Sequence, residues 1–196
     1  AMGWLLNEAL AAYQDPARAL LLRLAIPDRV TRELAEALSV GLCSEKVARE
    51  TYEALVEDGL LLESSAEPGW SKVHGHVRQA LLNRLAEQEG YAAVRSLRDV
   101  TRDWLMTRGL FDEAITVARA SGDSIGAATV IRAAIEPTLA GEEWRALEQW
   151  LADLPPHMVD QDAELLIAAA WIVQHRGDSF GARKLAQDAQ RIIAAD

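Results

Sequence analysis

Apolar side chains recur at helical spacing in three segments near the start of the chain, and turn-forming residues separate these segments. They predict helices over residues 16–26, 31–38 and 44–58. Pro16 suits the first turn of the first helix, with Asp15 as its N-cap. Ser44 is placed to cap the third helix, and Gly59 to end it as the C′ residue.

The periodicity then changes from helix to strand. Residues 60–63 read LLLE, residues 70–73 read WSKV, and the turn signal EPG lies between them. Apolar positions at helical spacing resume over 76–88. Three helices followed by a two-stranded hairpin are the element order of a winged helix, so we assign residues 1–89 to a winged-helix domain with flanking helices.

From Tyr91 onward the pattern is helical and is interrupted by glycines. Gly109 and Gly141 are 32 residues apart, and Gly141 and Gly177 are 36 apart. Spacings near ~34 residues with two helices each are typical of TPR-like hairpins, which bury their apolar faces by stacking. The fold class predicted for the whole chain is therefore mainly α: a winged helix with a short two-stranded wing, then TPR-like helical hairpins over 90–196 that form a small superhelix.

The last predicted helix still carries apolar side chains, Ile192 and Ile193, close to the final residue. Because a helical repeat array needs a polar face on its terminal repeat, we expect the chain to be a truncated piece of a longer protein. The repeat region would then be the start of a longer arm.

The charge distribution argues against nucleic acid as a direct partner. The chain carries 20 basic and 30 acidic side chains, a net charge of −10. Its third predicted helix, which a DNA-reading winged helix would insert into the major groove, carries Lys46 and Arg49 against five carboxylates. Since DNA binding depends on neutralising phosphates, we expect no direct nucleic-acid binding by this chain.

Metal binding, catalysis and membrane insertion find little support in the residues. One cysteine, Cys43, and four histidines do not supply a structural zinc set, and an unpaired cysteine suits a reducing cytoplasm. His74 and His76 lack a nearby nucleophile or carboxylate to orient an imidazole. No apolar stretch reaches the ~18 residues of a membrane span. We predict no catalytic residue, no metal, no membrane association and a cytoplasmic location.

Several segments resemble a known family. They read LVEDGLLLES, GWSKVHGHVRQALLNRL, DWLMTRGLFDEAITVARASGD and WRALEQWLADLPPHMVDQDAELLIAAAWIVQHRGD. They resemble the winged helix and the helical sensor arm of MalT-like, LuxR-type ATP-dependent transcriptional regulators, which belong to the signal-transduction ATPases with numerous domains. The resemblance extends over nearly the whole chain. It implies a regulatory piece that couples a sensor arm to a nucleotide-binding switch by interdomain contacts.

The resemblance also implies what surrounds this piece. The chain has no GxxxxGK[ST] loop to hold phosphates, so we expect no cofactor in this chain and ATP or ADP in a nucleotide-binding domain of the same parent chain. An effector or a partner protein is expected on the helical repeats. The alternative is a stand-alone helical-repeat scaffold whose winged helix binds protein or DNA directly.

The resemblance also implies roles for specific residues. His74 matches the histidine at the end of the wing that reaches the phosphates of bound ADP in such regulators, and Lys72 lies beside it. Val73 departs from the aromatic residue usual between them, and Gly75 and His76 also depart from the pattern that follows. The alternative for His74 is a local hydrogen bond that caps the next helix.

Two other groups of residues have open interpretations. The basic side chains of Arg95, Arg98 and Arg102 share one helix face. They either dock onto an acidic surface of the missing ATPase domain or form a solvated face balanced by Asp99 and Asp103.

The tryptophans lie at helical core spacing and are interpreted first as packing residues. The alternative for Trp144 and Trp171 is that they line the surface of the repeats where an effector or partner binds.

Overall fold

The computed structural model describes residues 13–195, and His76 by its backbone alone. The chain forms two compact units, Ala1–Thr107 and Arg108–Asp196. The elements of the first unit are α1 (Ala17–Arg23), α2 (Arg32–Leu38), α3 (Glu45–Glu57), β1 (Leu61–Glu63), β2 (Ser71–Val73) and α4 (Gly75–Met106). Those of the second are α5 (Phe111–Ala120), α6 (Ser124–Ala140), α7 (Trp144–Ala152), α8 (Pro156–Asp160), α9 (Ala163–His175) and α10 (Ser179–Ile193). Residues 1–12 of the predicted winged-helix domain lie outside the described part.

The ends of α3 follow directly from the sequence. The Ser44 hydroxyl accepts a hydrogen bond from the Val47 amide at 3.4 Å, which confirms the predicted N-cap. Gly59 follows the helix with φ +72°, and the Leu60 amide donates to the Leu55 carbonyl at 3.0 Å. This pair of features is a Schellman motif, in which glycine tolerates the left-handed conformation, so the predicted C′ residue is confirmed.

The start of α1 differs from the prediction. Pro16 itself is the N-cap residue, and Asp15 does not cap the helix but pairs with Arg18 at 3.4 Å. The helix also ends at Arg23, before the predicted end at 26. The chain beyond it turns through single hydrogen bonds, such as that from the Ile26 amide to the Arg23 carbonyl at 3.0 Å.

The wing is the predicted antiparallel hairpin, with Leu61 opposite Val73 and Leu62 opposite Lys72. A further contact was not predicted. Val30, in the loop before α2, pairs with Ser71 through two backbone hydrogen bonds of 2.7 and 2.8 Å. The wing is therefore tied at its base to the segment between α1 and α2.

The core of the first unit lies between its four helices and the inner face of the wing. Its fully buried leucines come from α1 and the residue that follows it, and from α2, α3, β1 and α4: Leu20, Leu22, Leu24, Leu34, Leu38, Leu55, Leu61, Leu81 and Leu85. Gly90, with φ +82° and ψ 161°, breaks α4 into two helical segments. The predicted helix over 76–88 and the helical region from Tyr91 are these two segments. The predicted domain boundary at 89/90 lies at the break, whereas the two compact units divide after Thr107, so the second segment of α4 belongs to the first unit.

The second unit consists of helical hairpins, which confirms the mainly helical fold class. Four glycines lie in the turns or at the helix ends, and each is followed five residues later by an alanine: Gly109 and Ala114, Gly122 and Ala127, Gly141 and Ala146, Gly177 and Ala182. Three of these alanines are buried. A small side chain at this position lets the first turn of each helix approach its neighbour closely, so the glycine–alanine spacing marks the hairpin turns.

Candidate functional site

The end of the wing presents Lys72 and His74 to solvent. In β2 the side chains of Ser71 and Val73 are buried and that of Lys72 points outward. On the paired strand the outward neighbour is Leu62, which is 40% exposed. Alternation along the strand thus places one cation and one apolar side chain on the outer face of the wing.

His74 follows the strand as the N-cap residue of α4, and its side chain is exposed. Both interpretations of His74, the phosphate contact and the local hydrogen bond that caps the next helix, stay predictions. The side chain of His76 lies outside the described part.

Ion pairs neutralise most of the basic side chains in the first unit. The pairs are Arg18–Asp15, Arg23–Glu89, Arg29–Glu67, Arg32–Glu53, Lys46–Glu50, Arg49–Glu36, Arg78–Asp28, Arg84–Glu87, and Arg102 with Asp99 and Asp103. Among residues 13–107, three basic side chains form no ion pair with a described carboxylate: Lys72, Arg95 and Arg98. These three cations, which have no partner among the described carboxylates, are all candidate site residues that were predicted from the sequence.

The three arginines of α4 divide into two kinds. Arg102 lies between Asp99 at 3.0 Å and Asp103 at 2.8 Å, so the balanced, solvated interpretation describes this residue. Arg95 is exposed and Arg98 is half-buried. One turn before Arg95 stands Tyr91, which is 85% exposed. The outer face of the second segment of α4 therefore combines an aromatic ring with two unpaired guanidinium groups.

The face of α3 that a DNA-reading winged helix would use is acidic, and its cations are already engaged. Arg49 pairs with Glu36 at 2.8 Å, and this hydrogen bond raises the pKa of Arg49 above its ordinary value. Lys46 lies 3.8 Å from Glu50. Phosphates that approached this face would meet carboxylates instead of available cations.

Two residues that hold the first unit together were not found from the sequence. The Arg78 guanidinium donates to the carbonyls of Ala25 at 2.8 Å and Ile26 at 2.9 Å, and it pairs with Asp28 at 2.8 Å. A signal was present, since Arg78 shares its helix face with the buried Leu81 and Leu85. The second residue is Arg29, whose guanidinium lies 4.3 Å from the centre of the Trp70 ring, so that a cation–π contact joins the loop before α2 to the wing.

The tryptophans of the second unit differ in how deeply they are buried. Trp150 is buried, and its indole NH donates to the Asp112 carboxylate at 2.6 Å. Trp144 is half-buried, with the Arg145 guanidinium 5.1 Å from its ring centre. Trp171 is also half-buried and stacks on His175 with ring centres 3.6 Å apart. Both candidate partner-surface residues, Trp144 and Trp171, thus retain accessible ring area, and an effector role for them stays a prediction.

Other kinds of site find no support in residues 13–195. The described side chains include no group of three or more His, Cys, Asp or Glu residues placed to hold a metal ion. None of the described helices combines the length and the apolar character that crossing a membrane requires.

These elements define a class of protein in which a winged helix is followed by helical hairpins. Residues 6–93 match the family model "MalT winged helix domain". The chain is also 30% identical over 173 residues to the "HTH-type transcriptional regulator MalT" of Yersinia enterocolitica serotype O:8 / biotype 1B. That similarity covers 87% of the chain but only 18% of the relative. No solved structure matches the chain.

Lys72 and His74 have the chemistry to contact phosphates from outside a nucleotide site, because both are exposed and one is cationic. They do not form such a site by themselves. The sequence has no glycine-rich loop of the GxxxxGK[ST] kind whose amides would surround the phosphates. A supplementary contact of these residues to a nucleotide held by another domain stays a prediction.

Proposed function

We propose that this chain is the coupling region of an ATP-dependent transcriptional regulator. It would transmit the state of a helical-repeat sensor arm to a nucleotide-binding domain of the same parent chain through interdomain contacts. The observation that carries the proposal is that Lys72, Arg95 and Arg98, which are candidate site residues predicted from the sequence, are also the basic side chains that have no ion pair within the described residues 13–107. The similarity of most of the chain to a regulator of the HTH type gives the class of parent protein.

The unpaired cations favour docking to a protein surface that supplies carboxylates. In a chain with a net charge of −10, cations that have no partner among the described carboxylates are a departure from the local balance. A complementary acidic surface would orient the docking and select the partner, and burial of these cations would require carboxylates opposite them. The proposed partner surface therefore lies on the nucleotide-binding domain and is acidic.

The proposed mechanism is a shift between two domain arrangements. In the resting arrangement the winged helix holds the nucleotide-binding domain in its ADP state, with Lys72 and His74 towards the phosphates. An effector or partner protein that binds the helical repeats, near Trp144 or Trp171, favours the other arrangement and releases this contact. The chain itself carries out no catalysis, binds no nucleic acid directly and acts in the cytoplasm.

His74→Ala in the full-length parent tests the nucleotide contact. The matched control is His157→Ala, which removes an exposed imidazole of the second unit. We expect His74→Ala to weaken ADP binding and to raise basal transcriptional activity, and the control to change neither. Unchanged ADP affinity and unchanged basal activity in His74→Ala would refute the proposed contact.

A gel-shift titration of this chain across salt concentrations separates the proposal from the scaffold alternative. The coupling role predicts no retention of DNA at any salt concentration, because α3 presents carboxylates. Binding that weakens steeply with salt would show phosphate neutralisation and would favour a winged helix that contacts DNA directly.

A further inference from the structure

The last helix, α10, carries an exposed aromatic ring next to two cations. Phe180 is 83% exposed, and Arg183 and Lys184 follow it by three and four residues, so all three lie within one turn. Neither Arg183 nor Lys184 makes an ion pair or a hydrogen bond with any described side chain. Their surroundings are acidic, since residues 141–196 contain 5 basic and 10 acidic side chains.

The helix holds Phe180 in this exposed position. The Asp178 carboxylate accepts a hydrogen bond from the Gly181 amide at 2.8 Å and so fixes the first turn of α10. A Cβ atom at Gly181 would lie 2.4 Å from the same carboxylate, so a larger residue there would displace the Asp178 side chain. The buried Ala182 and Ala189 lie on the inner side of α10, which packs against α9. Phe180 and Lys184 lie on the opposite side.

Another helix of the second unit has an exposed apolar residue at the position equivalent to Phe180. Residues 122–127 read GDSIGA and residues 177–182 read GDSFGA, and in both the aspartate caps the helix by accepting from the following glycine amide. Ile125 stands where Phe180 stands, and it is 73% exposed although α6 packs against α5, α7 and α9. The third residue after the turn glycine thus points away from the helices that stack on each other.

We propose that the α10 patch, made of Phe180, Arg183 and Lys184, binds an acidic segment of a partner protein in which an apolar residue lies next to carboxylates. Phenylalanine and arginine are both enriched at protein interfaces, and arginine is among the residues that most often dominate the binding energy. The two unpaired cations select carboxylates, and the acidic surroundings oppose the continuous phosphates of a nucleic acid. The inference names the partner chemistry of the helical repeats and in that respect rests on the proposed function.

The test uses this chain and three labelled probes in fluorescence anisotropy. The probes are a short peptide in which glutamates flank two leucines, the same peptide with lysines in place of the glutamates, and a single-stranded oligonucleotide of the same formal charge as the first. We expect saturable binding of the glutamate peptide and no binding of the other two probes. In NMR spectra, the backbone amide shifts that this peptide causes should be confined to α10. Phe180→Ala and Arg183→Gln/Lys184→Gln should each weaken it about tenfold, as removal of an interface anchor does.

Arg191→Gln is the matched control, because Arg191 is exposed on the same helix but pairs with Asp188. It should leave the affinity unchanged. Equal binding of the lysine peptide, preference for the oligonucleotide, or full affinity in Phe180→Ala would overturn the inference. Sedimentation that shows a dimer lost in Phe180→Ala would also overturn it and would assign the patch to a second copy of the chain. Because no nucleotide-binding domain is present, these outcomes are independent of the His74 test.

Discussion

The guanidinium of Arg23 in α1 meets the carboxylate of Glu89 through two contacts of 3.4 Å, and Glu89 is the last residue before the break in α4. Another nitrogen of the same guanidinium donates to the carbonyls of Leu38 at 3.0 Å and Val40 at 3.2 Å, at the end of α2. One half-buried side chain therefore ties α1 and the end of α2 to the place where α4 changes direction. The geometry of the break depends on the winged-helix core as well as on Gly90.

Replacement of Arg23 by glutamine should destabilise the chain. Two backbone carbonyls and Glu89 would lose a charged donor in a partly buried place, so we expect a loss of about 1–3 kcal/mol in the free energy of unfolding. The measurement is urea denaturation followed by circular dichroism. Arg18→Gln is the control, since its pair with Asp15 is exposed, and it should change stability by less than about 0.5 kcal/mol. An equal loss in both variants would contradict the role of Arg23.

Gly90→Ala should also be destabilising, because a φ of +82° with a ψ of 161° is a conformation that only glycine adopts readily. We expect a cost of about 1–3 kcal/mol in the free energy of unfolding. Gly75→Ala is a matched control in the same helix. Gly75 has no left-handed φ and no atom within 4 Å of an added Cβ, so alanine there should be neutral or stabilising. A cost in Gly75→Ala as large as that in Gly90→Ala would contradict the conformational argument.

The buried hydroxyl groups of Tyr52 and Ser71, at the base of the wing, should contribute to stability in a non-additive way. The Tyr52 hydroxyl donates to the Ser71 hydroxyl at 2.9 Å, and Ser71 is 1% exposed. Tyr52→Phe leaves Ser71 without this donor, so we expect a loss of about 1–3 kcal/mol. The double variant Tyr52→Phe/Ser71→Ala should lose less than the sum of the two single changes. Strict additivity in urea denaturation would contradict a direct interaction.

Tyr13 makes the stability of the chain depend on pH in the alkaline range. Burial, the hydrogen bond to the Asp58 carboxylate and the charge of that carboxylate raise the pKa of Tyr13 to about 12, from 10.0. Because the folded pKa lies above the unfolded one, this contribution to stability is present below pH 10 and is lost as the pH rises towards 12. Tyr13→Phe should show a smaller loss of stability over that interval. A tyrosine titration by near-ultraviolet absorbance that shows no group with a raised pKa would contradict the assignment.

The sequence predicts the fold well where local chemistry determines it. Ser44 and Gly59 have definite roles at helix ends because caps depend on a few neighbouring residues, and they are found where expected. The EPG turn between two short apolar runs likewise predicts the wing. Contacts between distant segments are not visible in this way. The bridge between Val30 and Ser71 joins positions 41 residues apart, and no periodicity indicates it.

The candidate site is predictable in part for the same reason. The exposure of Lys72 follows from alternation along a strand. Whether a basic residue keeps a partner depends on carboxylates that the fold brings near it, as Glu36 comes to Arg49 and Asp28 to Arg78. From their spacing alone, Arg95, Arg98 and Arg102 form one group, whereas the ion pairs of the folded chain separate Arg102 from the other two.

The proposed coupling role depends above all on docking of Arg95 and Arg98 onto an acidic nucleotide-binding domain of the parent chain. The most direct measurement is calorimetric titration of this chain into that domain with ADP bound, for the wild type, for Arg95→Gln/Arg98→Gln, and for Arg84→Gln. Arg84 is the control because it lies in the same helix but pairs with Glu87. We predict that the double variant binds about tenfold or more weakly, with a smaller dependence on salt, and that Arg84→Gln binds like the wild type. Equal affinities for all three chains would contradict the account.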